Sequence, residues 1–400
     1  MGNNREMNEQ ALRELTLSVV DQAGLDVSEV GFRSALWDAG LARVQYPKGK
    51  GGLDLSPQMQ GVIEEAIRDA GRNYNALSLN VIGIGMGLPT VLTYGSDDHH
   101  VKHLKRIFTG EDIWCQMFSE PSHGSDVAGL SSRAVRDGDE WIVNGQKVWT
   151  SGAHHSRYGM LLVRTDPDVP KHKGLSYFIL DMHSPGVDIR PLYQITGNAE
   201  FNEVFFTDVR VPHSNLLGDV GDGWRVATTT LMNERVALGG STAPRGSGNI
   251  SMLMKLWEKR APELDNGPRR LMTDRIMKLW TEAEAGRLTT LRGRANSVMG
   301  NPGPEGSVGK LASAELNIRI WNCCMDLLGD EGMMHEPGYP MSRAMDRSDW
   351  SYSKFFLRSQ ANTIEGGTSD IMRNILGERI LGLPGEPRVD KAIPWTDIPA

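Results

Sequence analysis

The stretch WCQMFSEPSHGSDVAGLSSRAVRDGDEWIVNGQKVWTSGA, Trp114 to Ala153, decides how this chain is read. Its first half is rich in turn residues. Ser119, Glu120, Pro121, Gly124, Ser125 and Asp126 form the pattern SEP-x-x-GSD, a turn whose backbone amides and hydroxyls can meet the edge of a planar heterocycle. The second half alternates like a strand. Asn144-Gly145 reads as a hairpin turn between WIV and KVW, so Trp149 and Ser151, two apart on one strand, are expected to point the same way. An indole beside a hydroxyl can cover a flat ring and donate a hydrogen bond to its edge. An ordinary hairpin with a core tryptophan explains either half alone. The two halves in this order and spacing weigh against it.

Three zones extend outward from this stretch. From about Glu9 to Gly110 the apolar residues keep a helical period, as in VGFRSALWDAGLARV and MQGVIEEAIRDAG, with the loop PKGKGGLDLS between them. From Ile113 to Pro212 the period shortens to that of strands in EWIVNGQKVW, YGMLLVRT, LSYFILDM, VDIRPLYQI and NEVFFTDVRV. After Gly223 the helical pattern resumes and runs to Leu381, broken once at Gly300 to Ser307. The expected architecture is α+β and multidomain. It comprises an N-terminal helical domain (1–112), a central antiparallel β-barrel or sandwich (113–216), a C-terminal helical bundle (217–384) and an extended Pro-rich tail (385–400).

The 400 residues leave room for two or three domains of about 150 residues each. A hydrophobic fraction of 39%, a charged fraction of 23% and a net charge of -7 suit a soluble globular protein and give no basic field for nucleic acid. Three cysteines, two of them adjacent at Cys323-Cys324, supply neither a disulfide framework nor a metal motif and point to a reducing compartment. The polar start MGNNREMNEQALREL lacks an apolar signal core, and Glu6 stands where a myristoylation site needs Ser or Thr, so a cytoplasmic protein is expected. The uncharged run Ala76 to Tyr94 is long enough to suggest a membrane span. Asn80, Gly83, Gly85, Gly87 and Pro89 argue for a buried helical segment instead, either lining a cavity or packed in the core, and no membrane insertion is expected.

The order of helices, sheet and helices resembles the acyl-CoA dehydrogenase family, and the resemblance covers almost the whole chain. Besides the opening stretch it rests on LWDAGLARVQYPKGKGGLDLS, on EVFFTDVRVP leading into LLGDVGDGW, on LLGDEGM and on TIEGGTSDIMRNILGERILGLP. The resemblance implies FAD as cofactor, an acyl-CoA thioester as substrate and an electron-transfer flavoprotein as acceptor. It implies flavin contacts from Gln116, Phe118, Ser119, Ser125, Trp149 and Ser151, with Gly329, Thr368 and Asp370 also near the cofactor, and CoA contacts from Ser125 and Arg235. A flavin monooxygenase or oxidase on the same scaffold is the nearest enzyme alternative.

In such enzymes a carboxylate removes the α-proton of the thioester while the β-hydrogen leaves as hydride to flavin N5. Glu234 lies in the helical stretch WRVATTTLMNERVALGG with Thr230, Leu231, Ala237 and Leu238 on its face. A carboxylate so placed is partly desolvated, which raises its pKa toward the range a general base needs. A buried structural pair with a distant Arg is the competing explanation. Its Asn-Glu-Arg context is similar to the helix position of the base in the isovaleryl and long-chain branches. Glu365 is the alternative base. It stands one residue before the medium-chain position, which is Gly366 here, and its expected role is to shape or close the site. The Gly366 N–H would polarise the thioester carbonyl together with a flavin ribityl hydroxyl, and Thr368-Ser369-Asp370 reads as a helix N-cap.

The chain departs from the family at the adenine end of the cofactor. The family's Arg-x-x-Phe-Gly is replaced by DNGPRRLMTDRIMKLW, in which Arg269, Arg270 or Arg275 could supply charge to a pyrophosphate, and Asp326 replaces a Gln. A tetramer is expected, either of this chain alone or mixed with a related chain. A non-catalytic partner subunit is the other reading these departures allow.

Overall fold

The computed structural model describes residues 7–24, 26–72, 74–75, 79–238, 244–298, 304–334 and 350–398, without the side chains of 234–238, 294, 297 and 298. The chain divides into two compact units, one of Met1–Arg190, Asn202–Ala237 and Asp390–Ala400, the other of Pro191–Phe201 and Leu238–Val389.

The first unit opens with α1 (Glu9–Ala23), α2 (Glu29–Asp38), α3 (Gln60–Asp69), α4 (Leu88–Tyr94), α5 (Asp97–His99) and α6 (Lys105–Thr109). Polar caps start the first two: the Asn8 side chain accepts from the Ala11 amide and the Ser28 side chain from the Gly31 amide, engaging donors that a helix start leaves unpaired. Leu12, Val20, Phe32, Leu36, Ile63 and Ile67 join one core. From Ile82 to Tyr94 the uncharged run packs with it. Gly83–Gly87 forms a buried π-helical turn ahead of α4. Asn80 fixes that turn, its amide donating to the carbonyls of Ile107 and Asp112 and its oxygen accepting from the amides of Gly83 and Trp114. A Cβ on Gly83 would lie 2.2 Å from the Asn80 amide, so a larger residue has no room. Among the described residues no helix is long and apolar enough to cross a membrane.

Seven strands follow: β1 (Trp114–Met117), β2 (Arg133–Asp137), β3 (Glu140–Ser151), β4 (Tyr158–Arg164), β5 (Leu175–Asp181), β6 (Val187–Leu192) and β7 (Phe201–Pro212). They form one sheet in the order β1-β4-β2-β3-β7-β6, with β5 also paired to β4. Pairing is antiparallel for β2–β3 and β4–β5 and parallel for β1–β4. β4 is buried along its whole length because both of its faces are covered. Met160 and Leu162 pack with the helices, while Leu161 and Val163 pack inside the sheet layer, which explains an unbroken apolar run in place of alternation.

The hairpin lies elsewhere than Asn144-Gly145. β2 and β3 pair from Arg133 opposite Asn144 to Asp137 opposite Glu140, so the turn is Gly138-Asp139, with Gly138 at φ +62. Asn144 and Gly145 lie inside β3. The Asn144 side chain donates to Asp208 of β7 at 2.9 Å and accepts from the Asp208 amide at 3.0 Å. A Cβ on Gly145 would lie 2.3 Å from the Ser132 hydroxyl, so this glycine serves a close approach and not a turn. After the sheet comes α7 (Gly223–Leu238), anchored by Thr230, whose hydroxyl is bonded to those of Thr90 at 2.9 Å and Tyr177 at 3.1 Å.

The second unit contains α8 (Asn249–Arg260), α9 (Asn266–Val298), α10 (Glu305–Leu328), α11 (Asp330–Met333), α12 (Tyr352–Ser359) and α13 (Ser369–Ile375). Its core gathers Ile250, Leu253, Ile276, Ile320 and Trp321, with Phe355 stacked on Trp321 at 4.7 Å and 4°.

Candidate functional site

In the first unit the SEP-x-x-GSD pattern is a turn. Glu120 and His123 exchange backbone hydrogen bonds at 3.1 and 3.0 Å. The Glu120 side chain is buried and pairs with the fully buried Lys147 of β3 at 2.8 Å. It also accepts from the amides of Ser131 at 2.6 Å and Ser132 at 2.9 Å. Burial alone would push the Glu120 carboxyl up, but Lys147 and these donors outweigh it and hold the carboxyl below its ordinary range. Lys147 donates further to the Phe118 carbonyl at 3.1 Å, and the Val148 amide donates to the Ser119 carbonyl at 2.9 Å. The turn is thereby fixed to β3 one residue before Trp149.

Of the residues expected here, Gln116 is half-buried on β1 opposite Met160, Phe118 is buried edge-on to Tyr177 at 5.7 Å, Ser119 is half-buried and Ser125 is exposed. Along β3 the buried side runs through Trp141, Val143 and Lys147, then changes phase so that Thr150 is buried. The change occurs at Trp149, which sits at φ +59 and is 59% exposed. Ser151 is half-buried. Trp149 and Ser151 thus both lie off the buried side, and an indole offers a flat apolar surface beside a hydroxyl. The buried Thr150 hydroxyl between them finds no hydrogen-bond partner among the described residues. A largely exposed indole, a neighbouring hydroxyl and an orphaned one fit a planar, heteroatom-edged group. Glu234 and Arg235 belong to α7, with Glu234 one turn beyond Thr230; their side chains lie outside the described residues.

In the second unit Glu365 accepts from both terminal nitrogens of Arg358, at 3.0 and 2.7 Å, and from Asn362 at 2.7 Å. Arg358 also faces the buried Glu200 at 3.4 Å. Burial works against the Arg358 charge, and the bonds to Glu365 and Glu200 outweigh it. Both Glu365 carboxylate oxygens are thus already engaged by donors of this unit. Gly366 and Gly367 take φ +62 and +90, and the Thr368 side chain caps α13 by accepting from the Ile371 amide at 3.1 Å. Asp370 is exposed and pairs with Arg373 at 3.4 Å. Arg269 and Arg270 are exposed on the first turn of α9. Asp326 forms an ion pair with Arg275, and Gly329, at φ +55, ends α10 with its amide on the Met325 carbonyl.

Lys147, Thr150, Arg358 and Glu200 were given no role by sequence reasoning. One signal was present: Lys147 shares the odd-numbered, buried side of β3 with Trp141 and Val143, where a lysine requires a buried acid.

Residues 115–209 match the family model of the acyl-CoA dehydrogenase middle domain, and residues 221–381 match that of the C-terminal domain. Acyl-CoA dehydrogenase FadE34 of Mycobacterium tuberculosis is 39% identical over 93% of this chain and 48% of its own length, so the chain spans about half of that relative. Acyl-CoA dehydrogenase IpdE1 of the same organism is 37% identical over 88% of this chain and 86% of its own. Among solved structures, the Tcur3481-Tcur3483 steroid ACAD superposes with a TM-score of 0.68 at 25% identity, covering 94% of this chain and 97% of that one. This chain belongs to the acyl-CoA dehydrogenase family, whose members are oxidoreductases acting on acyl-CoA.

Proposed function

We propose that the protein catalyses FAD-dependent α,β-dehydrogenation of an acyl-CoA thioester, with Glu234 as the base. The observation that carries this reading is Trp149, an indole 59% exposed on a left-handed backbone, fixed beside the SEP-x-x-GSD turn by the Glu120–Lys147 pair. Trp149 would cover one face of the flavin, and Ser151, Ser119 and Thr150 would meet its polar edge. Bound FAD would supply the acceptor for the hydride that leaves the β-carbon. Glu234 takes the α-proton, and the Gly366 amide donates to the thioester oxygen as negative charge grows there. Glu365 is tied to Arg358 and Asn362 and shapes the site.

Asp326 is paired with Arg275 within the chain, and a second chain of a tetramer is proposed to complete the adenine end. Likeness to a steroid ACAD suggests a bulky acyl group, and an electron-transfer flavoprotein is the proposed acceptor. The test is a ranking. Glu234→Gln should retain FAD and lose reduction by acyl-CoA by a factor of about a thousand or more, while Glu365→Gln loses far less. The reverse ranking would remove Glu234 from the mechanism.

A further inference from the structure

The Pro-rich tail is docked within the first unit. The Trp395 amide donates to the Val169 carbonyl at 3.0 Å and the Thr396 amide to the Pro167 carbonyl at 3.2 Å, with Pro394 bridged to Pro170. The Trp395 indole N–H donates to the Gly129 carbonyl at 2.9 Å, and its ring lies 4.4 Å from the Arg164 guanidinium. Arg164, itself buried, donates to the carbonyls on either side, those of Ala128 at 2.7 Å and Leu130 at 3.2 Å. Three successive carbonyls behind the SEP-x-x-GSD turn are thus capped by side chains, the middle one by the tail. Lys171, also buried, bonds both oxygens of Asp126, at 2.9 and 2.8 Å, and at the same time holds Asp390 of the tail.

The tail therefore grips one loop at two points, at Asp126 through Lys171 and at Gly129 directly. That loop carries Ser125 at its start and delivers the Ser131 and Ser132 amides to Glu120 at its end. Gly124, Ser125 and Asp126 are all exposed, and an exposed loop with few apolar contacts has low local stability unless it is tied down.

We infer that Asp390 and Trp395 are positioning residues that set the grip of the Ser119–Gly129 turn on FAD from the side away from the ligand. This rests on the flavin-binding reading of that turn. Trp395→Leu removes the donor to Gly129 and the ring beside Arg164, Trp395→Phe removes the donor alone, and Asp390→Ala releases Lys171 from the tail. Val389→Ser, at a residue 85% exposed, serves as the control.

Each purified protein is titrated with FAD by flavin fluorescence, its amide hydrogen exchange is followed across residues 123–132, and its global unfolding is measured in urea. Loss of a single hydrogen bond predicts FAD binding about fivefold weaker in Trp395→Phe and weaker still in Trp395→Leu and Asp390→Ala. Exchange should quicken at 126–130, the global unfolding midpoint should move little, and the control should match wild type. Unchanged FAD affinity and exchange in Trp395→Leu and Asp390→Ala, with wild type binding FAD, would overturn the inference alone. A fall in global stability with no local change in exchange would also overturn it, leaving the tail a general brace. Wild type that binds no FAD would instead defeat the proposed function, and the inference with it.

Discussion

Trp149 holds a backbone conformation, φ +59, that costs a bulky residue about 1–3 kcal/mol and persists only where its surroundings impose it. Its surroundings are the fixed turn on one side and the buried Thr150 on the other, and the result is an indole turned outward. Trp149→Ala should weaken FAD binding by about tenfold or more, since a stacked aromatic face is lost, and flavin-to-protein absorbance after gel filtration would read the change. Wild-type retention in that variant would contradict a flavin on this indole. His103 allows a second test at the same scale. It is 1% exposed between the rings of Tyr158 and Trp114, 4.8 and 5.3 Å away. Burial first, with the Lys102 charge adding to it, pushes the imidazole down to about 4. The unfolded chain, with an ordinary histidine near 6.5, takes up this proton first as pH falls. The contribution to stability is therefore complete above about pH 6.5 and is lost as pH drops toward 4, about 3 kcal/mol in all. Urea unfolding at several pH values should show this slope, and His103→Phe should flatten it; an equal slope in the variant would count against a buried neutral His103.

The elements that carry the site are joined by buried charge. Lys147 on β3 and Glu120 in the turn lie out of water, bonded to each other and each to further backbone groups. Removing one partner strands the other. Lys147→Met should destabilise the protein by about 3–5 kcal/mol, and Glu120→Gln added to it should recover part of that loss because no charge is then left buried. Urea unfolding of the single and double variants measures both, and a double variant no more stable than the single would contradict the pairing argument. The strands themselves were legible in the sequence, because runs such as YGMLLVRT and LSYFILDM are short, apolar and bounded by turn residues. The hairpin was not. Asn-Gly is the strongest short turn signal, yet the glycine is required by Ser132 lying against it and the asparagine by Asp208 on β7, both contacts distant in sequence. The cap at Thr368, by contrast, depends only on residues three apart and could be read directly.

Across the whole molecule, the succession of helices, strands and helices followed from periodicity, and the family followed from the order of its motifs. Pattern could not reveal how the chain groups in space. The segment Pro191–Phe201 belongs with the later helices, and the tail from Asp390 returns to the unit that holds the sheet, because Lys171 and Gly129 receive it there. Nor could spacing show that Glu365 is held by Arg358, or that Asp326 is held by Arg275 from another helix. The assignment as an FAD-dependent acyl-CoA dehydrogenase is tested most directly by an anaerobic titration of the purified, FAD-loaded protein with a panel of acyl-CoA thioesters, following the visible flavin absorbance. At least one thioester should bleach the flavin with formation of the α,β-unsaturated acyl-CoA, and Glu234→Gln should prevent this while keeping its FAD. Flavin that stays oxidised with every thioester, in protein that binds both FAD and acyl-CoA, would contradict the assignment.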